Sequence, residues 1–131
     1  FETTGRKKSD QHDLPVPRFD FVCVSVGYPR EELYERINRR VDGMLNAGLA
    51  EEVRSLLERG IPPFAQCMQG IGYKEMAEGM RLGWPMTEIA ELIKKNTRNY
   101  AKRQITFFRR MNNHTVLCPE RVTAEEVLKL L

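Results

Sequence analysis

Apolar residues follow two different rhythms along this chain. In FDFVCVSVGY, residues 19–28, Phe, Val and Cys fill nearly every position, and so short an apolar run ending in glycine predicts a strand buried on both faces. A strand of that kind needs neighbours. Only HTVLC at 114–118 offers a second one, so one or two strands of a parallel sheet are expected in an otherwise helical chain, with further partners outside this sequence.

Elsewhere the apolar positions recur at helical spacing. Pro29, followed by Glu31 and Glu32, predicts a helix running to about Ala47 and stopped by Gly48; Leu33, Ile37, Val41 and Met44 form its apolar stripe. AEEVRSLLER at 50–59 predicts a second amphipathic helix, ended by Gly60 and the turn residues Pro62 and Pro63. A shorter third helix is expected over 70–83. A long fourth begins at Thr87, expected to be its N-cap, and reaches Met111. TAEEVLKLL closes the chain as a helix capped by Thr123, and residues 5–18, rich in Gly, Pro, Ser and Asp, predict a loop. The chain opens on Phe1, within FETTGRKKSDQHD, which reads as the end of one element passing into that loop, as in a piece of a longer protein.

Composition adds bounds. The 131 residues suit one compact domain or part of one, with 41% hydrophobic and 30% charged residues. No apolar run approaches the roughly 20 residues of a membrane helix. Cys23, Cys67 and Cys118 are odd in number, widely spaced and without a CxxC pair. That pattern suggests neither a disulfide framework nor a zinc site, and a reducing cytoplasm is the expected setting. Net charge is only +3, but Lys94, Lys95, Arg98, Lys102, Arg103, Arg109 and Arg110 follow one another with no Asp or Glu between them. A single-sign segment in a nearly balanced chain suits a polyanion.

On a helical wheel, Ile89, Ile93, Tyr100, Phe107 and Met111 fall within about 40° of one another. Lys94, Lys95, Arg98, Lys102 and Arg109 fall within about 100° on the opposite side. The aromatics are expected to anchor the helix while the cations face outward, toward phosphates or toward solvent alone. Arg40 lies on the wheel among Leu33, Ile37 and Met44, where a cation needs an anion or a route to water. A phosphate or diphosphate group, a core carboxylate or a snorkelling stem each satisfies it. GIGYKE at 70–75 has glycines ahead of a helix, which suits either a phosphate or a tight helix start, and it lacks P-loop spacing. His12 and His114 are isolated and expected to be structural.

Four stretches together resemble the tRNA dimethylallyltransferases, also called tRNA isopentenyltransferases. They are TTGRKKS at 3–9, ERINRRVDGMLNAGLAEEV at 35–53, MQGIGYKEM at 68–76 and TRNYAKRQITFFR at 97–109, in the family's order. One departure is Phe107, where many members carry Trp. The resemblance implies an α/β fold of P-loop NTPase type in the full protein, of which this chain is the C-terminal portion. In that scheme residues 1–18 are a helix end and loop, 19–28 a buried strand, 29–111 a helical tRNA-binding region, and 112–131 a terminal strand and helix.

The implied activity moves a dimethylallyl group from its diphosphate to the exocyclic amine of an adenine beside the tRNA anticodon, with Mg²⁺ and a flipped-out base. Arg40 matches the arginine near the diphosphate. Gln66, Met68, Gln69, Thr97, Arg98, Lys102, Arg103 and Gln104 match positions that meet the tRNA anticodon stem-loop. The family's phosphate-cradling loop and catalytic Asp have no counterpart in these residues, so most of the Mg²⁺ site is expected elsewhere and the chain alone is expected to be inactive. A monomer without membrane attachment is expected. A noncatalytic RNA-binding helical module is the rival reading, which explains the basic stripe but not Arg40 or the orphan strand; a helical interaction domain without RNA is a third, distinguished by the absence of salt-sensitive RNA binding.

Overall fold

A computed structural model of the chain describes residues 22–111 and 114–130. The loop expected over 5–18, the TTGRKKS stretch and the first three residues of the expected strand lie outside the described residues. The described part is mostly helical with two parallel strands. Its elements are β1 (Cys23–Val26), α1 (Arg30–Asn46), α2 (Leu49–Glu58), α3 (Tyr73–Leu82), α4 (Met86–Phe108), β2 (His114–Leu117) and a short α5 (Ala124–Leu128). A 3-10 turn at Gln66–Gln69 precedes α3, and another at Pro119–Arg121 precedes α5.

The helix boundaries follow local chemistry. Pro29, at φ −51° and ψ 143°, stands just ahead of α1, and Glu31 and Glu32 fill the first turn, where the helix dipole favours acids. Gly48 has φ +98° and serves both as the stop for α1 and as the residue before α2, a reversal that glycine makes at little cost. Thr123 caps α5 as expected: its Oγ1 accepts the Glu126 backbone N–H at 3.2 Å. Thr87 does not cap α4. The helix starts two residues earlier, because Pro85 takes the cap position and its carbonyl accepts the backbone N–H groups of Glu88 and Ile89.

The core lies among the four longer helices. Val41, Leu49, Ala50, Val53, Met68, Met76, Ala77, Ile89 and Ile93 form one buried cluster, with Val53, Met68 and Met76 at zero exposure. α1 and α4 run antiparallel, since Asp42 meets Lys94 and, one turn earlier on α1, Asn38 meets Arg98. α4 also packs against α3, whose Gly79 faces Ile89.

Two expectations are corrected. β1 and β2 pair in parallel, Cys23 opposite His114 and Val26 opposite Leu117, but β1 is not buried on both faces. Val26 is 53% exposed and Val116 56%, because among the described residues the two strands pair only with each other. The aromatics of α4 are not all anchors either. Ile89 and Ile93 are each 1% exposed, whereas Tyr100 is 48% and Phe107 63% exposed. α3 covers only the first half of that face, and beyond it the helix leans its Ala101 and Phe108 side toward α1 and the strands.

Candidate nucleic-acid interface

The cations of α4 divide into two groups. Lys94 reaches back to α1, with Nζ 2.8 Å from Asp42 Oδ1 and 3.2 Å from Glu91 Oε1, and its side chain is 14% exposed. Hydrogen bonds to Asp42 and then Glu91 hold its ammonium above the usual lysine pKa, outweighing desolvation, which acts in the opposite direction. Arg98 donates from Nη1 to Asn38 Oδ1 at 2.7 Å and is half-buried. These two therefore help to join α4 to α1, which the wheel alone did not reveal.

Lys95, Lys102, Arg103, Arg109 and Arg110 are exposed, and none has a carboxylate within 4.0 Å among the described residues. Arg103 lies over the Tyr100 ring at 6.0 Å, at the outer edge of cation–π range. Asn99, Lys102, Arg103, Thr106, Phe107 and Arg110 line one open depression on this side. Exposed Tyr100 and Phe107 beside unpaired cations offer π-faces for bases as well as charge for phosphates. Gln104 and half-buried Thr97 lie on the same helix; Thr97 Oγ1 donates to the Ile93 carbonyl at 2.8 Å.

The 3-10 turn supplies a second surface. Gln66 and Gln69 are exposed, and Gln69 Nε2 donates to the Pro63 carbonyl at 2.9 Å. Met68 is different: its side chain fills the core, so that position can meet an outside molecule only through its backbone. The turn continues into GIGYKE. There Gly72 has φ +103° and its N–H donates to Glu75 Oε2 at 2.7 Å, which makes the glycines a tight helix start. Tyr73 then ties α3 to α2, its hydroxyl donating to Glu52 Oε1 at 2.6 Å, and that bond pushes the phenol above its ordinary pKa.

Arg40 is exposed on α1, at the edge of the apolar stripe. With Leu33, Arg36, Ile37 and Arg39 it lines an open depression. Arg36 is partnered, 3.7 Å from Glu32 and 4.3 Å above the Tyr28 ring. Arg39 and Arg40 have no carboxylate within 4.0 Å among the described residues. The described residues contain no group of three or more His, Cys, Asp or Glu able to hold a metal ion. No described helix is long and apolar enough to cross a membrane.

Fold and surface together define, among the described residues, a four-helix unit with an unpaired cationic face, carried beside a parallel strand pair. The chain belongs to the IPP transferase family, whose model matches residues 1–111. It is 45% identical over 97 residues to a tRNA dimethylallyltransferase of Acetivibrio thermocellus, covering 74% of this chain and 31% of that protein. It is 38% identical over 133 residues to the tRNA dimethylallyltransferase of Salinibacter ruber, covering 100% of this chain and 41% of the relative. The crystal structure of a full-length tRNA isopentenylpyrophosphate transferase from Bacillus halodurans superposes with a TM-score of 0.73 at 37% identity, over 83% of this chain and 36% of that one. A tRNA isopentenylpyrophosphate transferase from Staphylococcus epidermidis gives 0.67 at 40% identity, over 82% and 34%. The chain thus spans well under half the length of these relatives.

Proposed function

We propose that this chain supplies the RNA-facing surface and a diphosphate-facing arginine of an enzyme that transfers a dimethylallyl group to an adenine beside the tRNA anticodon. The observation that carries the reading is the coexistence of two cationic surfaces on one helical unit, unpaired among the described residues: Arg39 and Arg40 on α1, and the exposed cations of α4. The family's named relatives act on tRNA, and an anticodon stem-loop offers the phosphates and unstacked bases that such a helix face suits.

An allylic diphosphate reacts by breaking its C–O bond, and the pyrophosphate that leaves takes the electron pair. A guanidinium held where that charge grows lowers the barrier without itself reacting. Among the described residues, Arg40 has its fork of donors free for this role. The exocyclic amine of the adenine attacks the allylic carbon and then loses a proton, which requires the base to leave its stack. Gln66, Gln69, Thr97, Arg98, Lys102, Arg103 and Gln104 would hold the RNA while it does so, with Met68 fixing the turn from beneath. The donor-cradling loop is expected outside these residues.

In a transferase containing this chain, Arg40→Ala should depress dimethylallyl transfer by about 10²-fold or more while leaving tRNA affinity nearly unchanged. Equal losses in both would make Arg40 an RNA contact instead, and unaltered transfer would return it to a solvated surface cation. The 131-residue chain alone should give no turnover; measurable transfer by it would contradict the proposed division of labour.

A further inference from the structure

Glu75 is the one buried charged side chain among the described residues, at 6% exposure, and the RNA-binding reading gives it no contact. Its Oε2 accepts the Gly72 backbone N–H at 2.7 Å, and its Oε1 accepts Asn96 Nδ2 at 2.8 Å. Burying a carboxylate against two neutral donors carries a desolvation cost. Starting α3 requires only the first bond. The second crosses to α4, landing between Lys95 and Thr97, in the helix that carries the exposed cations.

Both ends of this bridge matter for the surface. Gly72 ends the stretch that begins with Gln66 and Gln69, and buried Met68 pins that stretch from below. On α4, Lys94 and Arg98 are already tied to α1. Asn96, between them in sequence, joins the opposite neighbour, α3. One carboxylate thereby adds a polar tie between the end of this stretch and α4, beside the core packing of Met68, Ile89 and Ile93.

We propose that Glu75 is a positioning residue for RNA recognition: through Gly72 and Asn96 it fixes the 66–72 stretch against the basic helix, so that one RNA meets both surfaces at once. The proposal rests on the RNA-binding reading and assigns it a residue that touches no RNA. Preorganising two contact surfaces lowers the ordering cost of binding.

Asn96→Ala and Glu75→Gln test it. Asn96→Ala removes the bridge but leaves the Gly72 bond, so the start of α3 is kept. Glu75→Gln preserves both bonds, because the amide oxygen accepts the Gly72 N–H while its NH₂ donates to the carbonyl of a flipped Asn96. A synthetic tRNA anticodon stem-loop hairpin is titrated with each protein over a salt series, with melting temperatures measured alongside. Asn96→Ala should bind about three- to tenfold more weakly, the effect of one lost hydrogen bond. Its salt slope should be unchanged, since no phosphate contact is removed. Glu75→Gln should bind like the wild type. If Asn96→Ala binds as tightly as the wild type at a temperature where both are folded, the bridge serves packing alone and the positioning role is overturned. If the wild type shows no salt-dependent binding, the RNA reading fails and takes this proposal with it.

Discussion

Gly79 shows how closely α3 approaches α4. A Cβ placed there would lie 2.5 Å from Ile89 Cγ1, inside any real carbon contact. Gly79→Ala should therefore cost about 1–3 kcal/mol, the usual effect of overpacking, measured as a lowered urea midpoint. A stability equal to the wild type would mean that Ile89 can move aside. Lys94 makes a different prediction. Its ammonium has a raised pKa in the folded chain, so the contribution of the Asp42 and Glu91 pairing is complete below the unfolded value of 10.5 and is lost as pH rises through the higher folded value. The stability difference between wild type and Lys94→Met should stay constant from neutral pH upward and shrink only above that point. A difference that already fades near neutral pH would contradict this assignment. Neither effect was visible in the sequence, because Gly79 and Asp42 acquire meaning only when their partners arrive from α4.

α4 shows how far periodicity carries and where it stops. Its length, and the burial of Ile89 and Ile93, follow from the spacing of apolar residues, as does the existence of α1, α2, α3 and α5 to within a few residues. The same spacing placed Tyr100 and Phe107 in the core, because a wheel assumes that one neighbour runs the whole length of the helix. α3 ends before they are reached. Ile93→Ala should then cost about 2–5 kcal/mol in stability, as other buried Ile truncations do. Phe107→Ala should stay within about 0.5 kcal/mol, as exposed positions do, as judged by chemical denaturation. A large loss at Phe107 would restore the anchoring role. The sequence showed the cations but not their division: spacing cannot tell that Lys94 and Arg98 face α1 while Lys102 and Arg103 face water. The importance of Glu75 was equally hidden, since one Glu at the third position of a helix reads as an ordinary capping residue.

At the scale of the molecule, one helical unit carries two surfaces with separate expected tasks. On the proposed reading, α1 would offer Arg40 to an anionic leaving group, and α4 with the 3-10 turn would offer cations, amides and aromatic faces to RNA. Polar ties from Lys94, Asn96 and Arg98 join α4 to α1 and α3. The strand pair, exposed at Val26 and Val116, adds little to either task within the described residues. The central claim is that the unpaired cations of α4 bind RNA phosphates, and the most direct measurement is the salt dependence of anticodon stem-loop binding by the wild-type chain and by a Lys102→Glu, Arg103→Glu double variant. The account expects affinity to fall linearly with log salt for the wild type, and the slope to flatten by about one for each phosphate contact removed. An identical slope in the two proteins would contradict it and leave the basic face of α4 a solvated surface.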